Sequence, residues 1–205
     1  MSPTEVIYED DVFVISGLIK QKKQYIIYTI YTIEFRLKKD SEMEYISRYS
    51  SPLGGILIAS DGFALTGLWF EGQKHFADNL EDEHEEKNLP VFEQTAKWLD
   101  VYFSGKEPDF TPPLRMKTTP FRQSVCEIML KIPFGQTMTY GEIASLIAKQ
   151  KSLAKMSAQA VGNAVGHNSI SIIIPCHRVM GANGDYTGYA GGIDKKIYLL
   201  ALEHA

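Results

Sequence analysis

A cysteine and a histidine stand side by side in the second half of the chain. Cys176 and His177 follow an isoleucine-rich run, 170–174, which predicts a buried strand ending just before the cysteine. A thiolate is a far better nucleophile than a thiol, and a neighbouring imidazole can accept or stabilise the proton. The pair therefore predicts nucleophilic chemistry on an accessible, ionisable sulfur.

Other interpretations of Cys176 stay open at this point. A free cysteine is more often a small buried hydrophobic residue than a reactive group. A thiol hydrolase could also use a Cys-His pair, although no oxyanion-hole motif is evident. The following sequence favours a ligand site, because Asn183-Gly184 predicts a hairpin turn and four further glycines, up to Gly192, allow close backbone approach.

Composition limits the class of protein. The 205 residues are enough for two small domains, and no apolar stretch approaches the roughly 20 residues that span a bilayer. The two cysteines are too few for a disulfide framework or a cysteine-rich zinc site, and Cys126 fits the buried face of a helix. The start of the chain lacks a signal-peptide pattern. We therefore expect a cytoplasmic protein that does not associate with membranes.

Charge is divided unevenly along the chain. The net charge is −4, but residues 1–105 carry 10 Lys or Arg against 18 Asp or Glu, whereas residues 106–205 carry 11 against 7. A basic second half is compatible with a surface that faces phosphates. The acidic segment 81–86 is typical of a solvated loop rather than of a metal site.

Local patterns predict the elements of the first half. Two β-like runs, 55–60 and 63–70, flank Asp61-Gly62 and predict a hairpin. Apolar residues at helical spacing predict a helix that ends at Gly105, and a proline-rich segment follows it. The predicted face of that helix consists of Phe92, Ala96, Leu99 and Phe103. We divide the chain into an extension at 1–45, a first domain at 46–104, a linker at 105–118 and a second domain at 119–205.

Three helices are predicted at the start of the second domain. Thr119-Pro120 begins the first, Thr139 and Glu142 form a capping box for the second, and Ser157 caps the third. Helices joined by a loop and followed by a strand and a glycine-rich hairpin indicate a winged helix-turn-helix, although any compact helical pair gives a similar pattern. The third helix is rich in small residues, which lets its backbone approach a flat ligand or a neighbouring element.

Three motifs together resemble the O6-alkylguanine-DNA alkyltransferases. They are Ile-Pro-Cys-His-Arg-Val at 174–179, Gln-Ala-Val-Gly-Asn-Ala-Val-Gly-His-Asn at 159–168 and Thr-Gly-Tyr-Ala-Gly-Gly at 187–192, and the resemblance covers about residues 46–205. It implies an α+β protein with a ribonuclease-H-like N-terminal domain and a C-terminal winged helix-turn-helix domain that binds the minor groove of double-stranded DNA. It also implies irreversible transfer of the alkyl group of O6-alkylguanine, and of O4-alkylthymine, to the protein after the damaged base is flipped out of the duplex.

The same resemblance implies a role for each site residue. Cys176 is the alkyl acceptor, His177 the water-assisted base, and Glu203 the carboxylate that orients it. Asn168 braces the turn before the cysteine, and Tyr140 contacts the extruded nucleotide and neutralises charge on the leaving guanine. The residues expected at the DNA surface are Thr139, Tyr140, Gln159, Ala160 and Gly162, and those expected in the substrate pocket are Val179, Tyr189 and Ala190. No cofactor and no metal are expected, and a monomer suffices.

Two positions depart from the family pattern. Gln159 stands where many members have an arginine, and we expect DNA binding to be weaker by about 1 to 2 kcal/mol. Ala190 stands where some members have a serine, which widens the pocket for bulkier alkyl groups. The alternative function is a non-catalytic module that binds damaged DNA; the presence of Cys176, His177 and Glu203 argues against it.

Overall fold

The computed structural model describes residues 43–204, so the predicted extension at 1–45 lies almost entirely outside the described residues. These residues form one compact unit that combines a sheet with helices. In chain order the elements are β1 Glu44–Ser51, β2 Gly54–Ser60, β3 Leu65–Phe70, β4 His84–Glu86, α1 Pro90–Phe103, α2 Pro120–Met129, β5 Met138–Thr139, α3 Tyr140–Gln150, α4 Ala158–Gly166, β6 Val179–Met180 and α5 Ile193–Glu203. The α+β class predicted from the sequence is confirmed.

The first half is a four-stranded sheet with the order β3-β2-β1-β4, in which only the short β4 pairs in parallel. The predicted hairpin at 55–70 is confirmed. Asp61 shapes its turn, because Oδ1 accepts hydrogen bonds from the backbone N–H groups of Phe63 and Ala64, and Gly62 takes a φ of +99°. The second strand therefore begins at Leu65 rather than at Phe63.

Helix α1 confirms the predicted helix and ends where Gly105 takes a φ of +81°. Its buried face is rotated from the predicted one, since Ala96 and Phe103 are partly exposed. The residues that α1 buries are Val91, Phe92, Thr95, Trp98, Leu99 and Tyr102. This rotation turns Tyr102 into the interior, toward the second half of the chain.

Helices α2, α3 and α4 begin at the predicted caps. Thr119 accepts a hydrogen bond from the backbone of Arg122, and Ser157 accepts one from Ala160. Thr139 and Glu142 form the complete capping box of α3, with both reciprocal hydrogen bonds present. Local side-chain chemistry thus fixes where the helical pair α3–α4 starts.

The run 170–174 is not a strand, which corrects the prediction from its composition. Only Ile170 forms a bridge, to Leu68 of β3. The backbone then turns, because Ile172 takes a φ of +69° and the N–H of Ile174 donates to the carbonyl of Ile170 at 3.1 Å. All five residues are buried. A buried apolar run is compatible with a strand or with a turn, so a strand predicted from composition alone was wrong here.

The glycine-rich segment after Cys176 forms the predicted turn but not a two-stranded hairpin. Asn183 and Gly184 both take positive φ, and the N–H of Gly181 donates to the carbonyl of Asp185 at 2.8 Å. Within residues 43–204, β6 pairs with β5 in parallel and with no strand from the segment that follows. The predicted wing is therefore an irregular loop.

Candidate active site

Cys176 opens a short 3-10 turn at Cys176–Arg178 and exposes only 4% of its surface. The amide Nδ2 of Asn168 donates to its Sγ at 3.1 Å. Burial raises the pKa of the Cys176 thiol, and the contacts with Asn168 and with the positive charge of Lys196 act against that rise. The sulfur is thus a buried, protonated thiol in the resting protein, which corrects the expectation that it is accessible.

Asn168 connects the end of α4 to the turn that carries the cysteine. Its Oδ1 accepts from the N–H of Ile170, and its Nδ2 faces the carbonyls of Ile170 and Ile174 at 3.2 and 2.9 Å. The oxygen and the nitrogen of this buried amide therefore both have hydrogen-bond partners, in the turn and at the sulfur. The arrangement holds the backbone of Ile174, and with it the position of Cys176.

His177 and Glu203 form a buried pair, with Nε2 of the imidazole 2.6 Å from Oε1 of the carboxylate. The carboxylate can only accept there, so Nε2 carries the proton and Nδ1 presents a lone pair. That Nδ1 is buried and has no hydrogen-bond partner among residues 43–204. Burial lowers the pKa of His177; Glu203 acts against that shift, and Arg178 and Lys196 reinforce it. The imidazole is therefore neutral and free to accept a proton.

Glu203 is held in its ionised form by several donors. Arg178 donates to both of its oxygens, from Nε at 2.9 Å and from Nη2 at 3.0 Å, and the backbone N–H of Gly135 donates to Oε2 at 3.1 Å. Burial alone would raise the pKa of this carboxyl group, but the hydrogen bonds from His177 and Arg178 outweigh it and lower the pKa to about 2. The charge of Glu203 is consequently present at every physiological pH.

Tyr102 is a member of this cluster that sequence reasoning missed. Its hydroxyl donates to Oε1 of Glu203 at 2.7 Å and lies 3.2 Å from Nε2 of His177. Helical spacing from Leu99 could have placed Tyr102 on the buried face of α1. No sequence signal could have paired it with a carboxylate 101 positions away.

Lys196 is the second residue that the sequence did not reveal. Its side chain is fully buried on α5, and Nζ donates to the carbonyls of Val179 and Thr187 at 2.5 and 2.9 Å. Burial lowers the pKa of Lys196 to about 8, with Cys176 acting against the shift. The amine ties β6 to the loop that follows it and places a positive charge near the sulfur.

An open cleft of about 630 Å³ lies between α3, α4 and the loop around Gly188. Its walls include Thr139, Tyr140, Gln159 and Gly162, whereas Ala160, the fifth residue expected at the DNA surface, is partly buried and is not among them. The hydroxyl of Tyr140 donates to the carbonyl of Thr187 at 3.0 Å. A Cβ at Gly188 would lie 2.6 Å from that hydroxyl, so the close approach requires glycine.

Two of the three expected pocket residues, Val179 and Tyr189, lie at the cysteine turn, and Ala190 follows Tyr189 in the loop beyond it. Val179 and Tyr189 are buried, and Ala190 is partly buried. The hydroxyl of Tyr189 is buried without a hydrogen-bond partner in the described part of the chain, and its ring meets the ring of His177 edge-on. The carbonyl of Ala190 accepts from the backbone N–H of Lys74 at 3.0 Å, so the first half of the chain supports this loop.

Within residues 43–204, no cluster of three or more His, Cys, Asp or Glu side chains could hold a metal ion. No helix in the same range has the length and apolar character needed to cross a membrane. The described site is thus built from a thiol, an imidazole and a carboxylate beneath a helical pair.

This combination defines a class, a helix-turn-helix protein with a buried Cys-His-Glu cluster, and comparison with known proteins specifies it further. Residues 45–116 match the family model described as "6-O-methylguanine DNA methyltransferase, ribonuclease-like domain". Residues 120–205 match the one described as "6-O-methylguanine DNA methyltransferase, DNA binding domain". The chain belongs to the 6-O-methylguanine DNA methyltransferase family. The predicted combination of a ribonuclease-like N-terminal domain with a DNA-binding C-terminal domain is confirmed.

Individual relatives agree with this assignment. The methylated-DNA–protein-cysteine methyltransferase of Haemophilus influenzae is 40% identical over 160 residues, which cover 78% of this chain and 86% of the relative. The protein of the same name from Mycobacterium tuberculosis is 41% identical over 153 residues, covering 75% and 88%. A crystal structure of Mycobacterium tuberculosis OGT in complex with DNA matches with a TM-score of 0.66 and 38% identity, over 78% of this chain and 92% of that one.

Proposed function

We propose that this protein repairs DNA by irreversibly transferring the alkyl group of O6-alkylguanine, and of O4-alkylthymine, to Sγ of Cys176. The observation that carries the proposal is the buried neutral imidazole of His177. Its Nε2 is held by Glu203, and its Nδ1 has no hydrogen-bond partner among the described residues. The residue before it, Cys176, accepts a hydrogen bond on its sulfur from Asn168. This is the arrangement that a thiol needs in order to lose its proton when an electrophile arrives.

The proposed reaction is one displacement at the alkyl carbon. The thiol proton of Cys176 passes through a water molecule to Nδ1 of His177, the sulfur attacks the alkyl carbon, and the bond between that carbon and O6 breaks. The electron pair of the broken bond stays with guanine, which takes up a proton to become the normal base. The product on the protein is a thioether, which has no easy return path, so each molecule acts once.

The target must leave the base stack, because O6 lies inside the paired duplex. We place the duplex on the cleft beside α4, with the minor groove against the exposed side of that helix. Tyr140 reaches over the cleft and would contact the extruded nucleotide, and its hydroxyl could reduce the charge that develops on the leaving guanine. Thr139, Ala160 and Gly162 complete the proposed contact surface.

Gln159 and Ala190 set the expected selectivity. Gln159 is exposed on the cleft wall, where its amide can hydrogen-bond to the orphan base but cannot supply a positive charge. Ala190 offers no side-chain donor beside the proposed substrate oxygen and leaves space for alkyl groups larger than methyl. We further propose a monomer that acts in the cytoplasm, since one sulfur accepts one alkyl group without help from a second copy and both cysteines are free thiols.

The decisive experiment is to mix the protein with a duplex that contains O6-methylguanine and to measure the intact mass. The wild type should gain one methyl group per molecule, Cys176→Ala should gain none, and the matched control Cys126→Ala should still gain one. Absence of a mass gain in the wild type would reject the proposal. Lesion-specific binding without transfer would instead support a non-catalytic damage-binding module.

A further inference from the structure

One component of the Cys-His-Glu cluster comes from the other half of the chain. Tyr102 lies near the end of α1, and its hydroxyl reaches both Oε1 of Glu203, at 2.7 Å, and Nε2 of His177, at 3.2 Å. Oε1 is the same oxygen that faces the imidazole, at 2.6 Å. The phenol, the imidazole and the carboxylate therefore meet at a single atom.

Packing against neighbouring aromatic rings holds the ring of Tyr102 in place, independently of the hydrogen bond of its hydroxyl. Its side chain is fully buried, and Trp98 stacks on it with a centroid separation of 5.3 Å and an interplanar angle of 8°. Phe134 packs against it edge-on at 6.0 Å. Such packing leaves the hydroxyl a single position, so its hydrogen bond costs little further conformational entropy.

The hydroxyl acts as a donor throughout the accessible pH range. Burial raises the pKa of Tyr102, and the charge of Glu203 and the hydrogen bond to it raise that pKa further. The one proton of the phenol goes to Oε1 at the shorter distance. A donor on this oxygen withdraws negative charge from the side of the carboxylate that faces His177, and so limits how strongly Glu203 can stabilise a protonated imidazole.

We infer that Tyr102 is a positioning residue of the alkyl-transfer site, which fixes Oε1 of Glu203 and thereby sets the orientation and the basicity of His177. This inference rests on the proposed function. It assigns the N-terminal half of the chain a direct part in the reaction, because α1 supplies one of the donors to Oε1, beside those that His177 and Arg178 of the C-terminal half provide. Tyr102 contacts His177 and Glu203 and acts on the thiol only through them.

The test is Tyr102→Phe, which removes the hydroxyl and retains the ring that packs on Trp98. The single-turnover rate of methyl transfer should fall about 5- to 10-fold near neutral pH, which is the range expected for the loss of one hydrogen bond. The limb of the pH–rate profile that reports His177 should move to higher pH, because Glu203 then carries more negative charge toward the imidazole. The same upward shift should appear in an NMR titration of His177 in the DNA-free protein.

Tyr49→Phe is the matched control. Tyr49 lies on β1, and its hydroxyl donates at 2.7 Å to Asp100 of α1, the helix that carries Tyr102. Removal of this hydroxyl leaves the hydrogen bonds of the cluster intact. This variant should keep the wild-type rate and the wild-type pH profile.

Three results would overturn the inference: an unchanged rate and profile in Tyr102→Phe, a slower rate without any shift in the titration of His177, or an equal effect of Tyr49→Phe. The two ideas can be separated if the wild type transfers no methyl group while Tyr102→Phe still shifts the titration of His177. That result would reject the proposed repair function and leave the positioning of Glu203 by Tyr102 established.

Discussion

Asn168 shows how much one buried amide can do at this site. It holds the backbone at Ile170 and Ile174 and donates to the sulfur of Cys176. The donated hydrogen bond favours the thiolate over the thiol and thus works against the effect of burial on the pKa of Cys176. A single side chain therefore contributes to both the fold and the reactivity.

Asn168→Ala should affect both properties. We expect the free energy of unfolding to fall by about 1 to 3 kcal/mol, because the N–H of Ile170 would lose its acceptor and the carbonyls of Ile170 and Ile174 would each lose one donor. In the pH–rate profile of alkyl transfer, the alkaline limb that reports the pKa of the Cys176 thiol should move to higher pH, because the thiolate loses a hydrogen-bond donor. Urea unfolding and a pH–rate profile measure these two effects. Asn163→Ala, an exposed change on α4, is the stability control, and an equal loss in both variants would contradict the expectation.

Sequence reasoning succeeded at this scale where residues are adjacent. Cys176 and His177 could be paired from the sequence because they are neighbours along the chain. Tyr102 lies 75 positions from His177, and only folding brings the two together. The protonated state of the thiol was equally hidden, because it depends on the burial of Cys176 in the folded chain.

At the scale of elements, helix α4 presents its backbone to the cleft through Gly162. A Cβ at this position would lie 3.8 Å from the ring of Tyr140, which is ordinary contact, so alanine fits the folded protein. Glycine lowers the stability of a helix interior by roughly 0.5 to 1 kcal/mol relative to alanine. Packing within the protein therefore does not require glycine here, and the glycine fits the proposed approach of DNA to the helix from outside.

Gly162→Ala should stabilise the protein by about 0.5 to 1 kcal/mol and weaken its binding to a duplex. The added methyl group would occupy the space that the proposed DNA surface needs. Gly166→Ala in the same helix is the matched control, because a Cβ there meets nothing within 4 Å and the residue does not line the cleft. Thermal unfolding and a binding titration give the two readouts. Equal DNA affinity for all three proteins would argue against α4 as the contact surface.

Elements whose ends depend on local chemistry were predictable, and those shaped by distant contacts were not. The capping box of Thr139 and Glu142 is contained within four residues, so the start of α3 follows from the sequence. The segment 170–174 has the composition of a strand, but it bends where β3 bridges to Ile170 and Asn168 holds the carbonyls. Its burial was predictable and its backbone path was not.

At the scale of the whole molecule, the buried charges link stability to pH. His177 has a folded-state pKa below its ordinary value of 6.5, and Glu203 has one of about 2 instead of 4.5. In both cases the unfolded chain binds more protons, so stability is lost as the pH falls. The loss begins near pH 6.5 through His177 and continues between about pH 4.5 and pH 2 through Glu203.

The contribution of Glu203 can be measured with Glu203→Gln. The variant should be less stable than the wild type by about 3 kcal/mol at pH 7, and the difference should shrink as the pH falls below 4.5. Urea unfolding between pH 7 and pH 3 provides the comparison. Glu127→Gln, an exposed change on α2, should track the wild type throughout. A difference between Glu203→Gln and wild type that stays constant over this range would show that the carboxylate is not the source of the effect.

The two halves of the chain also depend on each other in ways that the predicted boundary at 105–118 does not convey. Leu68 of β3 exchanges hydrogen bonds with the backbone of Ser169 and Ser171, at 2.8 Å each. From the first half of the chain, the hydroxyl of Tyr102 reaches His177 of the cysteine turn and Glu203. The backbone N–H of Lys74, also in the first half, donates to the loop that follows the turn. Motifs predict where the two domains lie along the sequence, whereas the contacts between the two halves follow only from the folded arrangement.

The low exposure of Cys176 has a consequence for the lifetime of the protein. An acceptor that works once is wasted by every stray oxidant or electrophile that reaches it first. A thiol that stays protonated and covered until its substrate binds reacts slowly with such reagents. The same shielding that makes the sulfur unreactive in isolation preserves each molecule for the single event in which it is used.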